Sequence, residues 1–219
     1  MVTIYGCLRS RATRPIWLMY EAGAEFRHVP VIQSYRLPDP AAADAPFHTA
    51  SPGFLAVNPQ GQIPAMQDGD LVLTESLGIT LYLARKLGGD LGPRDAAEDA
   101  LAVQWALVGA TAVETPAIDI LSTHSKGLAG TEDGARTIAA AQAALVRPFT
   151  RLEAHLQGRD WMMGDRFTVA DIVLAECVRY TTAQADTLDP YPALKAWLAR
   201  CQARPAFQHM WAQRTAEPM

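Results

Sequence analysis

Cysteine is scarce in this chain of 219 residues. Cys7, Cys177 and Cys201 are odd in number and far apart, which argues against a disulfide framework or a zinc site. His28, His48, His124, His155 and His209 are scattered, and none has a metal-ligand spacing to another histidine or a cysteine. There is no run or face of Lys and Arg, and the net charge is −4, so a nucleic-acid partner is not expected. Residues 1–14 hold no apolar stretch of the kind a secretory leader needs. No segment is expected to reach the ~20 apolar residues of a membrane span. The expectation is a cytoplasmic chain with no membrane partner. No internal repeat or low-complexity segment is evident beyond an alanine-rich bias.

Apolar residues are plentiful at 49%, enough for a sizeable core in one large domain or two modest ones. The first 88 residues mix strand and helix signals. Val2 to Tyr5 and Phe26 to Val31 read as strands, and Thr13 to Ala22 as a helix stopped by Gly23. Gln33 to Ala56 is rich in Pro, Ala, Ser and Asp and reads as a long irregular excursion. Ile63 to Gln67 and Asp70 to Leu73 flank Asp68-Gly69, a hairpin signal. Glu75 to Leu87 is predicted helical, with Leu77, Leu81, Ala84 and Leu87 on one face and Gly88-Gly89 at the end. Residues 88–94 read as a linker. Beyond it the strand signals fade. Leu101, Trp105, Val108 and Ala112 mark one helical stripe. Ile138, Leu145, Phe149, Leu152 and Leu156 mark another, which Pro148 should kink. Thr168-Val-Ala-Asp171 is a capping-box start to an apolar helix ending near Val178, and Pro192 to Ala203 gives one more.

Three segments could carry chemistry. Tyr5-Gly-Cys-Leu-Arg-Ser10-Arg-Ala-Thr-Arg14 runs from a strand end into a helix start, where a hydroxyl and the helix dipole together favour an anion. Ser10 could equally be a simple N-cap. Asn58-Pro-Gln-Gly-Gln-Ile-Pro64 begins a strand with a proline, which cannot donate to the ladder. Thr74-Glu75-Ser76 directly precedes a helix. Ser76 and free backbone N–H groups would suit a carboxylate and Glu75 an ammonium, so an α-amino-acid head would fit the pair. Ordinary capping is the alternative. A fourth segment, Met163-Gly-Asp165-Arg-Phe-Thr168-Val-Ala-Asp171, reads as structural.

In order and spacing these segments resemble the glutathione transferase family, serine-type and theta/zeta-like, over nearly the whole chain. The resemblance implies a thioredoxin-like glutathione-binding domain over 1–88 and an all-α, helical-bundle domain over 95–219, and it implies that Pro64 is cis. It also implies a site. Glu75 and Ser76 match the pair holding the γ-glutamyl head. Ile63 matches the residue whose backbone pairs with the cysteinyl part before Pro64. Gln62 stands where many members carry a lysine reaching the glycyl carboxylate. Ser10, within Arg-Ser-x-x-x-Arg, matches the serine that donates to the glutathione thiolate and lowers a thiol pKa of about 8.5.

Two residues compete with Ser10. Cys7-Leu-Arg-Ser10 has the spacing of a monothiol redox motif, and Tyr5 lies roughly where tyrosine-type members place their phenol. The expected function is attack of the glutathione thiolate on a small hydrophobic electrophile. A binding protein with little turnover, or a glutathione-dependent isomerase or disulfide reductase, are the alternatives. The isomerase class usually shows Ser-Ser-Cys where this chain has Ser10-Arg11-Ala12. The second substrate is expected near Trp105, Val108, Thr111 and Glu114, although Trp105 and Val108 also read as core. Trp211 is a further candidate to cover it. The family resemblance implies a homodimer.

Overall fold

A computed structural model describes residues 1–217 of the chain. The chain forms two compact units. One comprises Met1–Gly88 together with the segment from Pro205 onward, and the other is Gly89–Arg204.

The first unit is built on a four-stranded sheet. Its strands are β1 (Val2–Tyr5), β2 (Phe26–Val29), β3 (Ala65–Asp68) and β4 (Leu71–Leu73), in the order β2-β1-β3-β4. β1 runs parallel to β2, with Val2 opposite Phe26, and antiparallel to β3, with Ile4 opposite Met66. Side chains alternate across a strand, so Val2 and Ile4 are buried while Thr3 and Tyr5 are half-buried. The hairpin differs from the expected one by a single residue. Asp68 pairs with Leu71, so the loop is Gly69-Asp70, and Gly69 takes φ +60°. A glycine with positive φ at the first central position is what a type II′ turn needs.

Helix α1 (Thr13–Glu21) buries Ile16, Trp17, Leu18 and Met19, and it packs on α3 (Ser76–Leu87). The 33–56 excursion is closed at its base, where Ile32 N–H donates to Phe47 O at 3.1 Å and Thr49 N–H to Ile32 O at 2.9 Å. Its far end carries the short α2 (Pro52–Leu55), whose Phe54 packs with Val31 and Ala65. This is the thioredoxin-like arrangement the resemblance implies.

The second unit is helical, as expected. It contains α4 (Ala96–Val108), α5 (Glu114–Ser125), α6 (Glu132–Leu156), α7 (Val169–Val178) and α8 (Pro192–Gln202). All ten residues of α7 are buried. Thr168 and Asp171 form the anticipated capping box, and the Asp171 carboxylate also accepts from Met162 N–H and Trp197 Nε1, both at 2.8 Å. α6 continues through Pro148 and buries the predicted stripe. On α4 the expected stripe is rotated. Trp105 is buried as expected, but Leu101 is exposed and Val108 only half-buried, with Ala102 and Ala106 in the core. A single π-helical turn, Gly109–Val113, joins α4 to α5. A Cβ at Gly109 would lie 3.1 Å from Cys177 Sγ, so glycine permits the close approach to α7.

The continuous helical stretch Ala96–Ser125 is long and apolar enough to cross a membrane, contrary to the expectation that no segment approaches this. Its α4 and α5 parts are packed on α7 and α6. The 88–94 linker is docked within this unit. Arg166 bonds to the carbonyls of Asp90 and Gly92 and to the Glu98 carboxylate.

A last helix, α9 (Pro205–Ala216), lies in the stretch assigned to the helical 95–219 domain, with no helix of its own predicted there, and packs on α1 of the first unit. Phe207 and Met210 are buried, and Phe207 meets the Trp17 ring edge-on at 4.9 Å.

Candidate active site

The first site segment is the turn from β1 into α1. Gly6 sits at φ +151°, with its N–H on Val29 O at 3.0 Å and its carbonyl accepting from His28 Nε2 at 2.7 Å. A Cβ there would lie 2.9 Å from Ala12 Cβ, so a side chain would push on the start of α1, whereas Ile63 Cβ at 3.5 Å and Pro64 Cα at 3.6 Å would be ordinary contacts. The Ile63–Pro64 peptide is cis, as the resemblance implies. Glycine at position 6 thus lets the turn close tightly on Ala12 at the start of α1.

Ser10 is half-buried. Its hydroxyl donates to Cys7 O at 2.6 Å, and its Oγ accepts from Ala12 N–H at 3.1 Å. In this state it stabilises the turn ahead of α1 without being the N-cap, a position that falls to Ala12 with no side-chain cap bond. Its hydroxyl must rotate away from Cys7 O to serve a ligand.

The competing groups are more fully committed. The Cys7 thiol is buried and donates to Gln33 Oε1 at 3.3 Å. Burial, and then the Glu217 carboxylate, push its pKa above the ordinary value, against smaller opposing effects of Arg36 and Ser10. A thiol held protonated is a poor nucleophile. Tyr5 donates to Gln67 Oε1 at 3.3 Å, and its ring leans on Phe54.

The second segment turns on Asn58, which is 2% exposed. Its Nδ2 donates to Gln62 O at 2.7 Å and its Oδ1 accepts from Gln60 N–H at 3.1 Å. Asn58 therefore shapes the turn that presents Gln62, whose side chain is exposed, and the half-buried Ile63.

The third segment opens α3. Glu75 is exposed and holds φ +65°, the one non-glycine residue with positive φ among the described residues. It makes no side-chain cap bond, although its carbonyl starts the helix by accepting from Ile79 N–H at 2.9 Å. Ser76 is buried, and its Oγ accepts from Arg14 Nη1 at 2.9 Å. Arg14 is itself 1% exposed on α1. One buried guanidinium therefore links the helix that follows Ser10 to the start of α3.

A model described as the N-terminal domain of glutathione S-transferase matches residues 1–85, and one described as its C-terminal domain matches 101–205. The chain is 33% identical over 218 residues to glutathione S-transferase 1 of Zea mays, covering 95% of both chains. It is 32% identical over 212 residues to a probable glutathione S-transferase, GSTF2, of Oryza sativa subsp. japonica, covering 94% of this chain and 93% of the other. The chain belongs to the glutathione S-transferase family. Among solved structures, a glutathione S-transferase-I bound with lactoylglutathione superposes with a TM-score of 0.78 at 32% identity, covering 97% of this chain and 99% of that one.

Within the family assignment, two features stand out that sequence reasoning did not find. The first is Glu217, whose carboxylate accepts from Leu8 N–H at 2.7 Å and Arg9 N–H at 2.9 Å. No local signal could mark it, because its partners lie more than 200 residues away. The second is the Arg14–Ser76 bond. Arginine four residues after the serine was visible in the motif, but not its partner. Trp105, expected near the second substrate, is 3% exposed, lies 4.6 Å from the His155 ring and carries Arg151 over its face at 5.1 Å. It is core. Among the described residues, no group of three or more His, Cys, Asp or Glu could hold a metal.

Proposed function

We propose that this family member activates glutathione through Ser10 and joins the whole tripeptide, through its sulfur, to a small hydrophobic electrophile. The observation that carries the reading is Glu75. An exposed non-glycine residue in the left-handed region costs about 1–3 kcal/mol, and such strain concentrates at ligand sites. Here it turns a carboxylate away from capping, at a helix start rich in orphan N–H groups. The ligand ammonium is assigned to Glu75, and the ligand α-carboxylate to Ser76 and the first N–H groups of α3. The backbone of Ile63, held before Pro64, pairs with the cysteinyl residue. The Gln62 amide takes the glycyl carboxylate through a neutral hydrogen bond.

Ser10 then gives up its bond to Cys7 O, which costs about 1 kcal/mol. A charge-assisted bond to the thiolate more than offsets this. The thiol proton leaves to solvent, the thiolate attacks the electrophile, and the leaving group departs with its electron pair. The thiolate belongs to the cosubstrate, so no protein nucleophile is needed. A disulfide-reductase reading would need Cys7, and burial and charge both oppose it.

The test is conjugation of a generic aromatic halide beside calorimetric glutathione titration. Ser10→Ala is expected to lower kcat by about 10²-fold while glutathione affinity changes little. Equal rates would remove Ser10 from the mechanism. Cys7→Ser should leave turnover intact. A cytoplasmic homodimer with a detoxifying role completes the proposal, and sedimentation should give about twice the 23.8 kDa chain mass.

A further inference from the structure

We infer that Glu217 is a positioning residue for the turn that carries Ser10. This rests on the reading of Ser10 given above.

Buried or half-buried backbone N–H groups need partners, and loop N–H groups commonly find them in water. Here the N–H groups of Leu8 and Arg9 both find them in one carboxylate, with one bond to each oxygen. The Glu217 carbonyl accepts from Arg9 Nε at 3.1 Å, and Thr215 O accepts from Arg9 Nη2 at 3.3 Å. These are charge-assisted contacts between groups far apart in sequence, on the residues just before Ser10.

The carboxylate is held firmly in place. Glu217 N–H continues the α9 ladder onto Gln213 O at 3.1 Å. α9 is itself tied to α1 by Phe207 against Trp17 and by Tyr20 Oη donating to Gln213 Oε1 at 2.9 Å. The opposite side of the turn is tied as well. Arg36 Nη2 donates to Arg9 O at 3.3 Å, and Cys7 binds Gln33. Arg9 therefore has its N–H, its carbonyl and its guanidinium all engaged, and the backbone entering Ser10 has little freedom left. The same carboxylate also raises the Cys7 thiol, second only to burial, which keeps a neighbouring nucleophile silent.

The experiment uses the full chain with Glu217→Ala, Glu217→Gln, Ser10→Ala and the Ser10→Ala/Glu217→Ala double variant. Amide exchange at Leu8 and Arg9 is read by NMR, kcat with the aromatic halide, and glutathione affinity by calorimetry. Glu217→Ala should speed exchange at both amides and lower kcat about tenfold, with glutathione affinity within about twofold. Glu217→Gln keeps one acceptor oxygen and should fall between. On the Ser10→Ala background, Glu217→Ala should add little, because the two act as one unit.

Unchanged exchange, unchanged kcat, or a rise in turnover showing that the segment obstructs the site would each overturn the inference. If Ser10→Ala is silent while Glu217→Ala slows the enzyme, the Ser10 reading falls and the positioning of this turn stands. The reverse pattern removes Glu217 and keeps Ser10.

Discussion

At the scale of single residues, Glu75 shows how conformation and chemistry can be set against each other. Its φ of +65° is disfavoured for any side chain but free to glycine. Glu75→Gly is therefore expected to leave the fold as stable or up to ~1 kcal/mol more stable, while weakening glutathione binding by about tenfold or more. Urea denaturation and calorimetry on the same preparation check both halves, and tighter binding or a less stable fold would contradict the assignment. Glu75-Ser76 and Ile63-Pro64 are legible in the sequence as candidates, because they sit at informative spacings. Their states are not. No spacing shows that Ser10 begins with its hydroxyl on Cys7 O, which depends on the local turn, or that Ser76 accepts from Arg14, which depends on what the fold brings together.

At the scale of elements, the start of α7 is the clearest case of a sequence signal read correctly, and it has a pH consequence. Burial pushes the Asp171 carboxyl from 3.8 up to about 6, against the bonds it accepts from Met162, Trp197 and Thr168. Between those values the folded chain keeps a proton that the unfolded chain has released. The contribution of this residue to stability is therefore fully present below about pH 4, falls as pH rises towards 6, and is flat above. The change amounts to about 3 kcal/mol. Asp171→Asn should cost about 1–3 kcal/mol at pH 5 through mismatched donors, and it should flatten the pH 4–6 dependence of the urea midpoint relative to wild type. An identical slope in both proteins would rule the residue out. Where element reading slipped, the cause is local. Asp68-Gly69 is a good turn pair, but the register puts the turn at Gly69-Asp70. On α4, alanines are as able to face the core as leucines, and Leu101 went outward.

At the scale of the whole molecule, the division of the chain departs from its linear order. A helical second half was legible from the loss of strand patterning after residue 94. The return of α9 to the first unit was not, since a helix carries the same periodicity whichever surface it covers. Phe207, buried edge-on against Trp17, is one of the contacts that hold α9 there. Phe207→Ala should cost about 3–5 kcal/mol and raise amide exchange in α1 while leaving α7 protected. Loss of protection confined to α7 would refute the assignment. The arrangement also bears on synthesis. While the ribosome is still building the chain, Trp17 has emerged but the ring destined to cover it has not. The first unit is therefore interrupted during synthesis by the whole of the helical one, and Trp17 gains its Phe207 neighbour only after Gly89–Arg204 has been made.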